Sequence, residues 1–131
     1  GRSRDRVCVV DAGSALTIDL VAATGDHQGG YIIPGPALME RALLLDTDRV
    51  RFAEEVDYEL TPGRSTAAAV RHGIALAQAG AVAMALEADG PEQPDLMFCG
   101  GAGQLVLDLL GRGGEWVPDL VFEGLEIQAR S

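Results

Sequence analysis

Three short segments set glycine turns, two of them with hydroxyls and one with a carboxylate, where a ligand could bind. The first is Asp11-Ala-Gly-Ser-Ala15, running into Thr17-Ile-Asp19. The apolar run Val7 to Val10 ends there at a carboxylate, Gly13 leaves the backbone open, and Ser14 and Thr17 add hydroxyls. Phosphate oxygens seek backbone donors that no side chain obstructs, and a carboxylate beside them orients a cation or a water. The same residues equally suit an ordinary hairpin, in which Asp and Gly are turn formers. The second segment is Gly100-Gly-Ala-Gly103, between the apolar run Asp95 to Cys99 and a helical stretch. Glycines there let a flat or phosphorylated ligand lie on backbone at a helix N-terminus. The spacing is not that of a dinucleotide fingerprint, and a tight strand-to-helix connection reads the same way. The third is Gly63-Arg-Ser-Thr66, where free N–H groups and a hydroxyl either hold a ligand or simply cap a helix.

Other reactive side chains carry less. His27 sits in a turn and His72 on a long helix, and neither has the partner spacing of a triad or a metal site. Cys8 and Cys99 lie inside apolar runs, with no CxxC pair, so they read as buried reduced thiols. Glu54, Glu55 and Asp57 read as a solvated loop, and Trp116 as packing.

The elements that must position these groups follow from periodicity. Val7 to Val10 reads as a buried strand. Leu16, Ile18 and Leu20 alternate with Thr17, Asp19 and Val21 within a second strand, Ala15 to Ala22. Gly29 to Ile33 is a third, stopped by Pro34-Gly-Pro36. Tight turns between them predict an antiparallel meander. Helices are expected over Ala37 to Leu45, Thr66 to Ala88 and Gln104 to Leu110. Strands are expected over Asp95 to Cys99 and, as a strand or turn, Glu115 to Pro118, with a last helix over Asp119 to Gln128. Ser65 or Thr66 would cap the long helix. The sum is an α/β class: a three-stranded antiparallel meander extended by further strands and covered by helices.

Composition excludes several chemistries. Of 131 residues, 20 are acidic and 10 basic, for a formal net charge of −10. That balance repels nucleic-acid phosphates. All ten basic residues are Arg, so a Walker lysine, a Schiff-base lysine and a protein-kinase lysine are all excluded. With 47% apolar residues, the chain can bury a core as one domain or one lobe. No apolar run reaches the ~20 residues of a membrane span, and no secretory signal follows the basic start, so a cytoplasmic location is expected. Residues 1–6 read as a flexible entry.

Taken together, Asp11 to Asp19, His27-Gln-Gly-Gly-Tyr-Ile-Ile-Pro-Gly35 and Leu38-Met39 closely resemble the second half of type III pantothenate kinases. Gly63 to Thr66 with Gly73, Cys99 to Gly103, and Pro118-Asp-Leu-Val-Phe-Glu-Gly-Leu125 continue the resemblance, from about Arg6 to about Gln128. It implies a ribonuclease H-like lobe over residues 7–131, one of two in the acetate and sugar kinase, Hsp70 and actin superfamily, with ATP in the cleft between lobes.

The resemblance also implies roles. Asp11 would help hold a monovalent cation, potassium or ammonium, alongside the Mg²⁺ that such kinases use. Ser14, where the family usually has Thr, would contact ATP phosphate beside Gly13. Gly100 and Gly101 would belong to the adenosine-side loop. Thr66 would touch pantothenate from across a homodimer. Two further family segments are not found here: the first phosphate loop, and the Gly-x-Asp-Arg stretch whose aspartate is the general base on the pantothenate hydroxyl. No catalytic residue is therefore expected in this chain, which would need a missing N-terminal lobe to act. Asp46 stands where some relatives have a substrate-contacting histidine, and its charge would repel anionic pantothenate. The alternatives are a degenerate, dimerising regulatory module and a lobe of a different superfamily kinase such as a sugar kinase. The absence of a sugar-binding Asn-Asp pair argues against the second.

Overall fold

The computed structural model describes residues 5–46, 55–118, 120–123 and 126–129. Among them a mixed α/β arrangement has one five-stranded sheet and three helices. Strands β1 (Val7–Ala12), β2 (Ala15–Val21) and β3 (His27–Pro34) come first. Helices α1 (Pro36–Asp46) and α2 (Thr66–Asp89) follow, then β4 (Asp95–Cys99), α3 (Gly103–Leu110) and the short β5 (Glu115–Trp116).

The sheet order is β3-β2-β1-β4-β5. β1 pairs antiparallel with β2, from Val7 opposite Val21 to Ala12 opposite Leu16. β2 pairs antiparallel with β3, and the register shifts at Leu20/Val21. On its other side β1 pairs in parallel with β4, from Val7 beside Asp95 to Asp11 beside Cys99. β4 in turn pairs in parallel with β5. β1 is therefore the central strand. Its apolar run is continuous because both of its faces are buried down to Val10.

One sheet face carries Cys8, Val10, Leu16, Ile18 and Phe98, and packs on Val82, Ala85 and Leu86 of α2 and Val106 of α3. The other face buries Val9 and Cys99 among Val7, Met97 and Val117. Small residues on α2 let it lie close to the sheet. Ser65 is its cap: the Ala68 N–H donates to Ser65 Oγ at 3.1 Å.

The structure corrects two expectations. Residues 120–129 are not a helix: β6 (Leu120–Glu123) and β7 (Glu126–Ala129) pair antiparallel as a separate two-stranded sheet. Leu120, Val121 and Phe122 are strand formers, and Gly124 interrupts any helical run. The second concerns hydropathy. α2, with 24 residues, is long and apolar enough to cross a membrane by length and composition alone. Its many alanines raise mean hydropathy without forming a run of large apolar side chains. Its inner face, including Ile74, Ala75, Val82 and Leu86, is buried in the fold.

Asp119, Gly124, Leu125, Glu54 and residues 1–4 lie outside the described residues. Arg6 does not: its guanidinium donates to Asp89 and to the Glu92 carbonyl, and its own carbonyl accepts from the Asp95 N–H at 2.9 Å.

Candidate functional site

Parallel pairing puts the C-terminal ends of β1 and β4 side by side, so the turns that follow them share one edge of the sheet. Asp11 and Gly13-Ser14 leave the first strand, and Gly100-Gly101 leave the second. The two turns are stitched together: the Ala102 N–H donates to the Ala12 carbonyl at 2.8 Å. A third turn joins them after β3, where the Gly35 N–H donates to the Ser14 carbonyl at 2.9 Å. Residues far apart in sequence thus converge on one corner, with Asp11, Gly13 and Ser14 all exposed there.

Gly100 is the tightest point of the corner. Its φ of +84° lies in the region that favours glycine. A Cβ at this position would stand 2.5 Å from Asp11 Oδ1 and 2.7 Å from the Ala12 carbonyl oxygen. Only a bare backbone can therefore pack this closely against the carboxylate and the carbonyl. Among the described residues no group of three or more His, Cys, Asp or Glu is placed to hold a metal.

The Gly13 N–H is already committed, donating to the Ala15 carbonyl at 3.0 Å. Gly13 thus offers no unpaired N–H, and the exposed Ser14 carries the hydroxyl of this turn. Thr66 lies elsewhere. It lines an apolar groove of about 680 Å³ between α1 and α2, with Pro34, Leu38, Met39, Val70 and Ile74. The Asp11 corner does not line that groove.

Around this frame His27, His72 and Arg71 are paired within the fold. His27 Nε2 lies 2.7 Å from Asp19 Oδ1, a pairing on the sheet that sequence spacing did not reveal. His72 Nδ1 donates to the Thr61 carbonyl at 2.6 Å. Arg71 grips Glu40 through Nε and Nη2 at 2.9 and 3.3 Å, donates to the Val56 carbonyl at 2.9 Å, and lies over the Tyr58 ring at 5.1 Å. Trp116 remains half exposed while its ring edge borders Gly103. Cys8 and Cys99 are free and buried. Burial pushes both thiols up from 9.0 to about 12, with Asp89 adding to the effect at Cys8 and Asp11 at Cys99. Neither is a nucleophile in this state.

A profile described as type III pantothenate kinase matches residues 2–88. The chain belongs to the type III pantothenate kinase family. Within the family it is 44% identical over 130 residues to the type III pantothenate kinase of Ectopseudomonas mendocina, covering 93% of this chain and 52% of that protein. It is 44% identical over 127 residues to that of Pseudomonas aeruginosa, covering 91% and 50%. The chain spans about half the length of the curated relatives it matches. A crystal structure from Campylobacter jejuni, described as a conserved Baf family transcriptional activator, superposes with a TM-score of 0.61 at 29% identity. That match covers 85% of this chain and 50% of the other.

Proposed function

We propose that residues 7–131 form the C-terminal, ribonuclease H-like lobe of an ATP-dependent pantothenate kinase. The reaction would convert pantothenate to 4′-phosphopantothenate, the first step of coenzyme A biosynthesis, in the cytoplasm. The observation that carries this reading is the convergence of the Asp11–Ser14 and Gly100–Gly101 turns on one bare, carboxylate-bearing corner.

In this reading Asp11, exposed at the corner, helps hold potassium or ammonium. Ser14 donates its hydroxyl to an ATP phosphate, and Gly13 keeps the approach clear. Gly100 and Gly101 face the adenosine side. The cation, and the Mg²⁺ that arrives with ATP, supply neutralisation of phosphate charge. An acidic lobe of net charge −10 requires such cations to accept a nucleotide at all. Transfer forms a bond from the pantothenate hydroxyl oxygen to the γ-phosphorus and breaks the bond to the ADP oxygen. The hydroxyl proton passes to a base on the N-terminal lobe. This chain's residues bind and orient, and none of them takes that proton, so the 131 residues are inactive alone. Thr66 reaches pantothenate in the partner subunit of a homodimer.

The test is a pantothenate phosphorylation assay with ATP, Mg²⁺ and K⁺, on the chain alone and with a matching N-terminal lobe added. Activity only with the added lobe is the expected result. Activity of the chain alone places a base within these residues and defeats the half-site reading. The likeness to the Campylobacter jejuni protein favours one second reading, a dimerising regulatory module. Silence in both assays, with dimerisation intact, would select it.

A further inference from the structure

We propose that Gln78 is a positioning residue that sets the conformation of the Asp11–Ser14 turn through a single peptide plane. Gln78 sits on the inner face of α2 among alanine, isoleucine, valine and leucine, and is 1% exposed. Its Nε2 donates to the Pro34 carbonyl at 2.9 Å and lies 3.5 Å from the Met39 sulfur. Its Oε1 is buried and has no hydrogen-bond partner among the described residues. A buried amide with an unmet acceptor costs stability compared with an apolar side chain of similar volume. Core packing therefore does not account for it, whereas its donor side does.

The Pro34 carbonyl and the Gly35 N–H belong to the same planar unit. The Gly35 N–H donates to the Ser14 carbonyl at 2.9 Å. The unit is thus gripped from both sides, its oxygen by α2 and its nitrogen by the β1–β2 turn. A rotation of this plane breaks both bonds together. Gly35 also leaves no slack: a Cβ there would fall 2.2 Å from the Gly13 carbonyl oxygen and 2.9 Å from that of Ser14. The placement of Gln78 is passed directly to the Gly13–Ser14 backbone. That Ser14 then meets a nucleotide phosphate rests on the function proposed above, whereas the bracing itself does not.

The test uses the 131-residue chain. Gln78→Met fills the space without a donor. Gln78→Glu keeps the shape and donates to Pro34 only when its carboxyl is protonated, which burial favours as pH falls. Protection of the Gly35 amide by hydrogen exchange and ATP affinity by calorimetry, with Mg²⁺ and K⁺, are the readouts. In Gln78→Met we expect Gly35 protection to drop about ten-fold and ATP to bind about ten-fold more weakly. In Gln78→Glu both recover as pH is lowered from about 8 to about 5. Val82→Ala, a core control, lowers the melting temperature but leaves Gly35 protection unchanged.

Unchanged Gly35 protection in the Gln78 variants overturns the proposal, as does a loosened Gly35 with wild-type ATP affinity. If the wild-type chain binds no ATP, the nucleotide reading of this turn fails, and Gly35 protection alone decides the bracing. Should Gln78→Met not fold, the pH dependence of Gln78→Glu makes the same comparison.

Discussion

Gly100 is held in a conformation that only glycine takes without strain, with its missing side chain facing Asp11. Gly100→Ala is expected to destabilise the chain by about 1–3 kcal/mol and to weaken potassium-dependent ATP binding more than ten-fold. Gly101→Ala, whose added methyl meets nothing within 4 Å, should leave the melting temperature within a degree or two. Paired thermal melts and calorimetric titrations separate the two. The cysteines carry a pH signature. Their thiols ionise near 9.0 when unfolded and near 12 when folded, so the unfolded state loses protons first. Stability is therefore full below about pH 9 and falls as pH rises toward 12, by up to about 1.4 kcal/mol per pH unit for each thiol. A Cys8→Ala/Cys99→Ala chain should show a shallower decline in melting temperature across that window. At this scale, sequence showed which residues could serve but not their commitments. The spent Gly13 N–H and the Asp19–His27 pair depend on turn geometry and on strand register, which no local pattern records.

Among elements, the first four strands and the three helices of the main fold were legible. Alternation marks β2, and Gly and Pro punctuate nearly every boundary. The hairpin of β6 and β7 is hard to read in sequence because its apolar residues also fit a helical face, and Gly124, between the paired Glu123 and Glu126, is the local signal against a helix. The joint between α1 and α2 was invisible in sequence. Arg71 of α2 holds Glu40 of α1 with two bonds and the segment ahead of α2 with a third. Lysine cannot reproduce that planar fork. Arg71→Lys is expected to cost about 1–2 kcal/mol, read as a lower urea midpoint with an unchanged slope. Gly35 shows the same lesson from the other side: the Pro34-Gly-Pro36 punctuation was plain, but its grip by Gln78 depends on α2 being folded over it.

For the whole molecule, the two neighbours of the central strand are synthesised at very different times after it. β2 follows after a turn of two residues, so that side of β1 closes quickly by local pairing. β4 is made only after both α1 and α2. Val7 to Ala12 must therefore wait with one edge unpaired while α1 and α2 are synthesised, and closing that gap carries the entropy of a long loop. An apolar strand with an open edge is a template for wrong partners. Vectorial synthesis thus leaves β1 in need of shielding, and the docking of β4 is the event that ends its exposure.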